Sequence, residues 1–153
     1  MKPAFADDIP PMREAAARVV EFFDQLAPAS LDRLDTIYAL DAYFKDPFNE
    51  VRGLASIRQV FGHMYKSLEQ PRFVVTRCIV DGNACFLTWD FHFKFKRFDT
   101  QALQTVQGGS HLQFNAAELL EFHRDYWDAA EELYEKLPVI GRLMRWLKAR
   151  ARQ

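Results

Sequence analysis

From Leu87 to Lys96 the chain alternates without a break. Leu87, Trp89, Phe91, Phe93 and Phe95 are apolar, while Thr88, Asp90, His92, Lys94 and Lys96 are polar. A period of two gives a strand one apolar and one polar face, and no helix can gather it onto one side. The chain therefore needs a sheet with one apolar face, and something to cover that face.

Other segments extend the sheet. Phe73 to Val80 is rich in β-branched residues, and Asp81-Gly82-Asn83 after it is a hairpin signal. Leu103 to Phe114 reads as a strand, bulged or kinked at Gly108-Gly109. Glu118 to Trp127 reads as a further long strand. The helices come earlier. After Pro10-Pro11, the residues Ala15, Val19, Phe22, Phe23 and Leu26 recur at helical spacing over about 11–26. Ala27-Pro28-Ala29 breaks that helix, and Ser30 is placed to cap a second. Leu31, Leu34, Ile37 and Tyr38 share its face, and it is expected to end near Leu40. Gly53 precedes a third helix over about 54–69, with Ile57, Val60, Phe61 and Met64 inward. Helices followed by antiparallel strands indicate an α+β fold. The expected architecture is a cone-shaped curved antiparallel sheet wrapped over three N-terminal helices, with a C-terminal amphipathic helix over about 138–152.

The 153 residues suit one domain with a sizeable core. Phe occurs 14 times. Many aromatics in a small domain either enlarge the core or line a cavity, and the core is the commoner use. No apolar run approaches the roughly 18 residues that span a bilayer. Met1 to Pro10 carries two acids and no apolar stretch, unlike a secretory signal. Cys78 and Cys85 flank the hairpin turn and are read as reduced core residues rather than a disulfide or metal pair. A cytoplasmic location is expected.

Charge is unevenly spread. Lys136, Arg142, Arg145, Lys148, Arg150 and Arg152 are six of the 20 bases, and no acid lies among or after them. The remainder holds 14 bases against 21 acids. In the tail, Ile140, Leu143, Met144, Leu147 and Ala151 share one helical face, with Arg142, Arg145 and Arg152 away from it. Such a helix docks on its own domain or a partner, and docking is the commoner use. With Trp146 and its bases it also suits peripheral contact with the inner face of a membrane. Nucleic acid is not an expected partner, because the body is acidic and has no basic stacking groove.

The segment Tyr38 to Phe48 reads Y-A-L-D-A-Y-F-K-D-P-F, with Asp46 among aromatic residues. Asp before Pro commonly anchors a turn, and that is the reading the residues favour. An acid in an apolar wall is the other reading, because its pKa could then be tuned for chemistry. This segment, the following Gly53 and helix, and the late strand H-R-D-Y-W resemble the ketosteroid isomerase branch of the nuclear transport factor 2-like superfamily, which includes SnoaL-like polyketide cyclases. The resemblance covers about residues 10–130 and favours one SnoaL-like domain spanning 1–153.

The resemblance makes Asp46 the counterpart of the isomerase base. The handling of carboxyl pKa in ketosteroid isomerase is a known worked case. The isomerase oxyanion positions fall at Phe22 and Ser110, and both departures remove strong donors. Steroid isomerisation is therefore not expected, since such donors often supply several kcal/mol of barrier lowering. Cavity-facing positions fall at Phe22, Tyr38, Phe61, Trp89, Phe91, Ser110, Leu112, His123, Asp125 and Trp127. His123 and Asp125 share a strand face. They form either a solvated polar face or, with Asp46, a catalytic group in which Asp125 orients His123 as acid, base or donor. Alternation alone puts Leu120, Phe122 and Tyr126 inward. The resemblance puts that face outward, with Phe122 and Tyr126 contacting the second copy of a homodimer.

A His-x-Asp metal site is not favoured, because no metal-ligand motif accompanies it. No cofactor is implied. The expected activity is proton-transfer chemistry on a small hydrophobic carbonyl or enol compound, of the isomerase, cyclase or hydratase/dehydratase type. The alternative is a non-catalytic ligand-binding or protein-interaction module.

Overall fold

The computed structural model describes residues 11–97, 100–132, 134 and 140–151. Helix α1, Arg13–Asp24, buries Ala15, Ala16, Val19 and Phe23 and carries Glu14 in its first turn, where a negative charge suits the helix dipole. Phe22 is only half-buried and packs edge-on against Phe23. The helix is tied to the sheet at both ends. Met12 N–H donates to the Gly82 carbonyl at 3.0 Å, and Val75 N–H donates to Asp24 Oδ1 at 2.7 Å.

The second helix differs from expectation. It is a 3-10 segment, Pro28–Thr36, with Ala27 at its N-cap and Ser30 inside its first turn. Proline fits the first helical position, whose N–H would have no partner there, so the segment starts earlier than Ser30. Ser30 Oγ instead accepts the Ala27 N–H at 3.0 Å. Thr36 closes the segment by donating its hydroxyl to the Arg33 carbonyl. Tyr38 to Leu40 therefore open a strand and do not end a helix.

That strand is β1, Tyr38–Lys45. A turn leads to β2, Glu50–Arg52, which pairs antiparallel with β1. Gly53 follows with φ of +96°, in the region glycine alone enters freely, and its N–H returns to the Ala42 carbonyl at 2.9 Å. Helix α2, Leu54–Ser67, then buries Ile57 and Phe61. Strands β3 (Leu68–Asp81), β4 (Ala84–Phe95), β5 (Gln104–Phe114) and β6 (Leu120–Tyr126) complete a six-stranded sheet. The order is β2-β1-β6-β5-β4-β3. The sheet is curved and unclosed, as the α+β reading expects. One pairing departs from the antiparallel expectation, because β1 runs parallel to β6.

Gly108-Gly109 forms no bulge. The β4–β5 register runs unbroken from Ala84↔Gln113 to Phe93↔Gln104. The glycines make room for rings. A Cβ on Gly108 would lie 2.4 Å from the Trp89 indole, and one on Gly109 would lie 2.6 Å from Phe86.

The irregularity lies in β6 instead. The turn Asn115–Leu119 precedes it, with Asn115 Oδ1 accepting the N–H groups of Ala117 and Leu119, so the strand starts at Leu120 and not Glu118. Its register then slips by one residue against β5 between Leu120 and Phe122, and the pairing with β1 is irregular at the same place. A one-residue slip exchanges the faces. Leu120, expected on the face of Phe122 and Tyr126, is fully buried in the core, while Tyr126 is exposed.

After β6 come a short helix α3, Ala129–Glu132, and a terminal helix α4, Ile140–Ala151. The expected start at Pro138 and the bases Lys136 and Arg152 lie outside the described residues. Among those residues, no helix is long and apolar enough to cross a membrane. Cys78 and Cys85 are free thiols on the paired strands β3 and β4.

Candidate functional site

The concave side of the sheet holds a recess of about 290 Å³ between β4, β6, α2 and the turn after β1. Half of its lining residues are Phe or Trp: Phe44, Phe48, Phe61, Phe73, Trp89, Phe91, Phe93, Phe95 and Trp127. The alternation of β4 supplies four of these rings. Phe73 joins them from β3, directly opposite Phe91 in register and stacked on it at 4.4 Å between centroids. Two carboxylates, Asp46 and Asp125, reach the same recess. A small inner pouch of about 20 Å³ continues past Asp125 to His123, Ser110 and Phe23.

Asp125 is where two hydrogen-bonded chains meet. His123 Nε2 lies 2.7 Å from Asp125 Oδ1, and its Nδ1 lies 2.6 Å from the Tyr38 hydroxyl. Burial, and secondarily the charge of Asp125, pushes the Tyr38 hydroxyl well above its ordinary pKa. Tyr38 therefore keeps its proton and donates it to Nδ1, which leaves Nε2–H to donate to Asp125. On the other side Trp89 Nε1–H donates to Ser110 Oγ at 2.8 Å, and Ser110 donates to Asp125 Oδ1 at 2.5 Å. Among the described residues, every hydrogen bond to Asp125 falls on Oδ1. The imidazole is further fixed by rings: Tyr38 lies parallel to it at 5.9 Å, and Phe44 and Phe23 meet it at steep angles.

Asp46 is built differently. Its Oδ1 accepts the backbone N–H groups of Phe48 at 2.7 Å and Asn49 at 2.6 Å. The Asn49 side-chain amide bridges both of its oxygens, at 3.1 and 3.0 Å. Asp46 thus anchors the Pro47-Phe48-Asn49 turn and stands at the rim of the recess.

The other expected positions divide. Phe61, Trp89, Phe91 and Trp127 line the recess, and Ser110 lines the pouch. Tyr38 is buried behind His123 and reaches the site only through it. Leu112 is fully buried in the core. On α1 it is Phe23, not Phe22, that lines the pouch, because the helix turns Phe23 toward the sheet. The His-Asp pair is arranged in depth. Asp125 stands on the recess wall with His123 behind it.

Sequence reasoning passed over Phe44, Phe73, Phe93, Phe95, Asn49, His63 and Ser67, all of which line the recess. The β4 alternation already carried the signal for Phe93 and Phe95. His63 and Ser67, one helical turn apart on α2 and 3.2 Å apart at Nε2 and Oγ, gave no signal. Among the described residues, no group of three or more His, Cys, Asp or Glu side chains could hold a metal ion.

A family profile described as the SnoaL-like domain matches residues 19–130. The chain belongs to the SnoaL-like domain family. The matched span of this SnoaL-like domain runs from α1 to α3 and includes Asp46, Ser110, His123 and Asp125. Comparison with curated proteins finds no match.

Solved structures share the fold of the SnoaL-like domain at low sequence identity. A protein described as a candidate SnoaL-like polyketide cyclase from Jannaschia sp. CCS1 has a TM-score of 0.69 at 13% identity, covering 82% of this chain and 92% of that one. An LEH-like epoxide hydrolase of M. tuberculosis has a TM-score of 0.64 at 16% identity, covering 78% and 86%. A hypothetical protein with a ketosteroid isomerase-like fold from Catenulispora acidiphila DSM 44928, in complex with trimethylamine, has a TM-score of 0.66 at 16% identity, covering 78% and 89%.

Proposed function

We propose that this SnoaL-like domain binds a small apolar carbonyl or enol compound in the aromatic recess, and that Asp125 moves a proton on it. The observation that carries this reading is the convergence of two donor chains on one oxygen of Asp125. A carboxylate held on one oxygen by His123 and Ser110 keeps a fixed orientation, with Oδ2 left to face a ligand. It would take a proton from the carbon beside a carbonyl, leave the electron pair in an enolate, and return the proton at another atom. His123 and Tyr38 position Asp125. Asp46 shapes the mouth. The fold is shared with proteins described as a cyclase and an epoxide hydrolase, and proton transfer is chemistry such a site can perform.

The test is ligand-linked exchange. Lipophilic ketones and phenols are titrated while the fluorescence of Trp89 and Trp127 is followed. The ketones that bind are then incubated with protein in heavy water. Deuterium should enter beside the carbonyl, and Asp125→Asn should slow that entry by about a hundredfold or more. Failure of every compound to bind would count against the recess as a ligand site.

A second reading, a carrier without catalysis, is favoured by one observation. The helix residues that line the inner pouch, Phe23 and Phe61, offer no hydroxyl to a developing oxyanion, and the Tyr38 hydroxyl is occupied by His123. Binding without exchange would support it.

The outer face of the sheet is proposed as a homodimer contact. Tyr43 stacks on Phe122 there at 5.3 Å, His111 packs on the same Phe122, and Tyr126 is exposed beside them. An aromatic cluster of this kind suits an interface core.

A further inference from the structure

We propose that helix α4 docks the protein on an anionic lipid surface. At 100° per residue, Ile140, Leu143, Trp146 and Leu147 fall within an arc of about 120°. A surface helix ordinarily turns such an arc into its own core. In α4 the arc faces away from the body: Leu143 is 55% exposed, Trp146 52%, and Ile140 and Leu147 46% each. Gly141, on another side of the helix, is buried.

Charge decides what covers the arc. Arg142, Arg145 and Arg150 are exposed on α4, and the sequence from Lys136 onward contains six bases and no Asp or Glu. Arg150 holds its guanidinium 4.9 Å from the centre of the Trp146 ring. Trp with Arg beside it places an amphipathic ring and a cation together at the depth of lipid headgroups. Twelve residues make a helix of about 18 Å, which can lie in an interface and is too short to span one. The rest of the chain, with 14 bases against 21 acids, is repelled by an anionic surface. Docking is therefore confined to α4 and has one orientation.

The experiment is sedimentation of the full chain with vesicles of phosphatidylglycerol or of phosphatidylcholine alone. The protein should sediment with the first and not the second, and high salt should release it. Arg150→Glu, and separately Leu143→Ser with Trp146→Ser, should each lower partitioning about tenfold or more without changing Tm. The proposal is overturned if the protein stays in solution with phosphatidylglycerol, or if the variants bind as wild type does. It is also overturned if the double variant lowers Tm, which would assign the arc to the domain itself. A change in molecular mass in that variant would assign it to a second copy.

Discussion

His123 Nε2 and Asp125 Oδ1 lie 2.7 Å apart on one face of β6, with the imidazole buried and the carboxylate on the wall of the recess. The two side chains share a face because they are two residues apart. That face is the inner one because the register slips just before them. His123 uses both ring nitrogens, one on Asp125 and one on Tyr38, and so acts as a rigid spacer between a buried phenol and an acid at the cavity.

Removing the spacer should cost stability. His123→Ala leaves the Tyr38 hydroxyl buried without a partner and opens a cavity, at an expected cost of about 3 kcal/mol or more. Tyr38→Phe removes only the donor to Nδ1 and should cost about 1–2 kcal/mol. Urea unfolding of both variants checks the order, and equal costs would break the proposed chain.

Asp46 should behave as a turn anchor. Asp46→Asn keeps an acceptor for the Phe48 and Asn49 N–H groups and should be close to wild type in stability. Asp46→Ala removes it and should cost about 0.5–2 kcal/mol, as loss of comparable capping bonds does. Neither change should slow ketone exchange as much as Asp125→Asn does. If Asp46→Asn were the slower variant, Asp46 and not Asp125 would be the base.

Glycine at 108 is a matter of space. Gly108→Ala would drive a methyl group into the Trp89 indole, which donates to Ser110. The expected loss is about 2 kcal/mol, with a change in Trp fluorescence as the ring moves. Gly62 on α2 is the control, because nothing lies within 4 Å of its added Cβ. Gly62→Ala should stabilise by about 0.5–1 kcal/mol.

Alkaline pH should unfold the protein in stages. Burial pushes the Cys85 thiol from its ordinary 9.0 up to about 12, and burial also raises Tyr38 from 10.0. Above pH 9 the unfolded chain loses the Cys85 proton while the folded chain keeps it. The stability contributed by the neutral thiol is therefore whole below pH 9 and lost between 9 and about 12, with Tyr38 adding to the loss from about pH 10 upward. Tm measured against pH should fall across this range, and Cys85→Ala should flatten the slope between pH 9 and 10.

The proposed homodimer would depend on the outer cluster. Phe122→Asp puts a charge into the stack with Tyr43 and should give monomers by light scattering at micromolar concentration. A monomeric wild type under the same conditions would remove the interface.

Much of this was legible in the chain. The alternation of β4 specified its inner aromatic face, because side-chain direction in a strand follows from position alone. The hairpin at Gly82-Asn83 and the helix after Gly53 were legible for the same reason: each rests on local geometry and neighbouring residues. D-P-F and H-R-D-Y-W carried the likeness to the family.

Tertiary structure decided the rest. The slip at Glu121 sets which face of β6 is inner, and it depends on pairing with β1 and β5, each far away in sequence. Gly108 and Gly109 resemble a bulge until the rings of Trp89 and Phe86 on the neighbouring strand are in place. The alternation of β6 could put His123 and Asp125 on one face. Only the approach of Tyr38 from one side and of Ser110 and Trp89 from the other set the carboxylate in front and the imidazole behind, since hydrogen bonds between distant residues form only where the folded backbone brings donor and acceptor within about 3 Å.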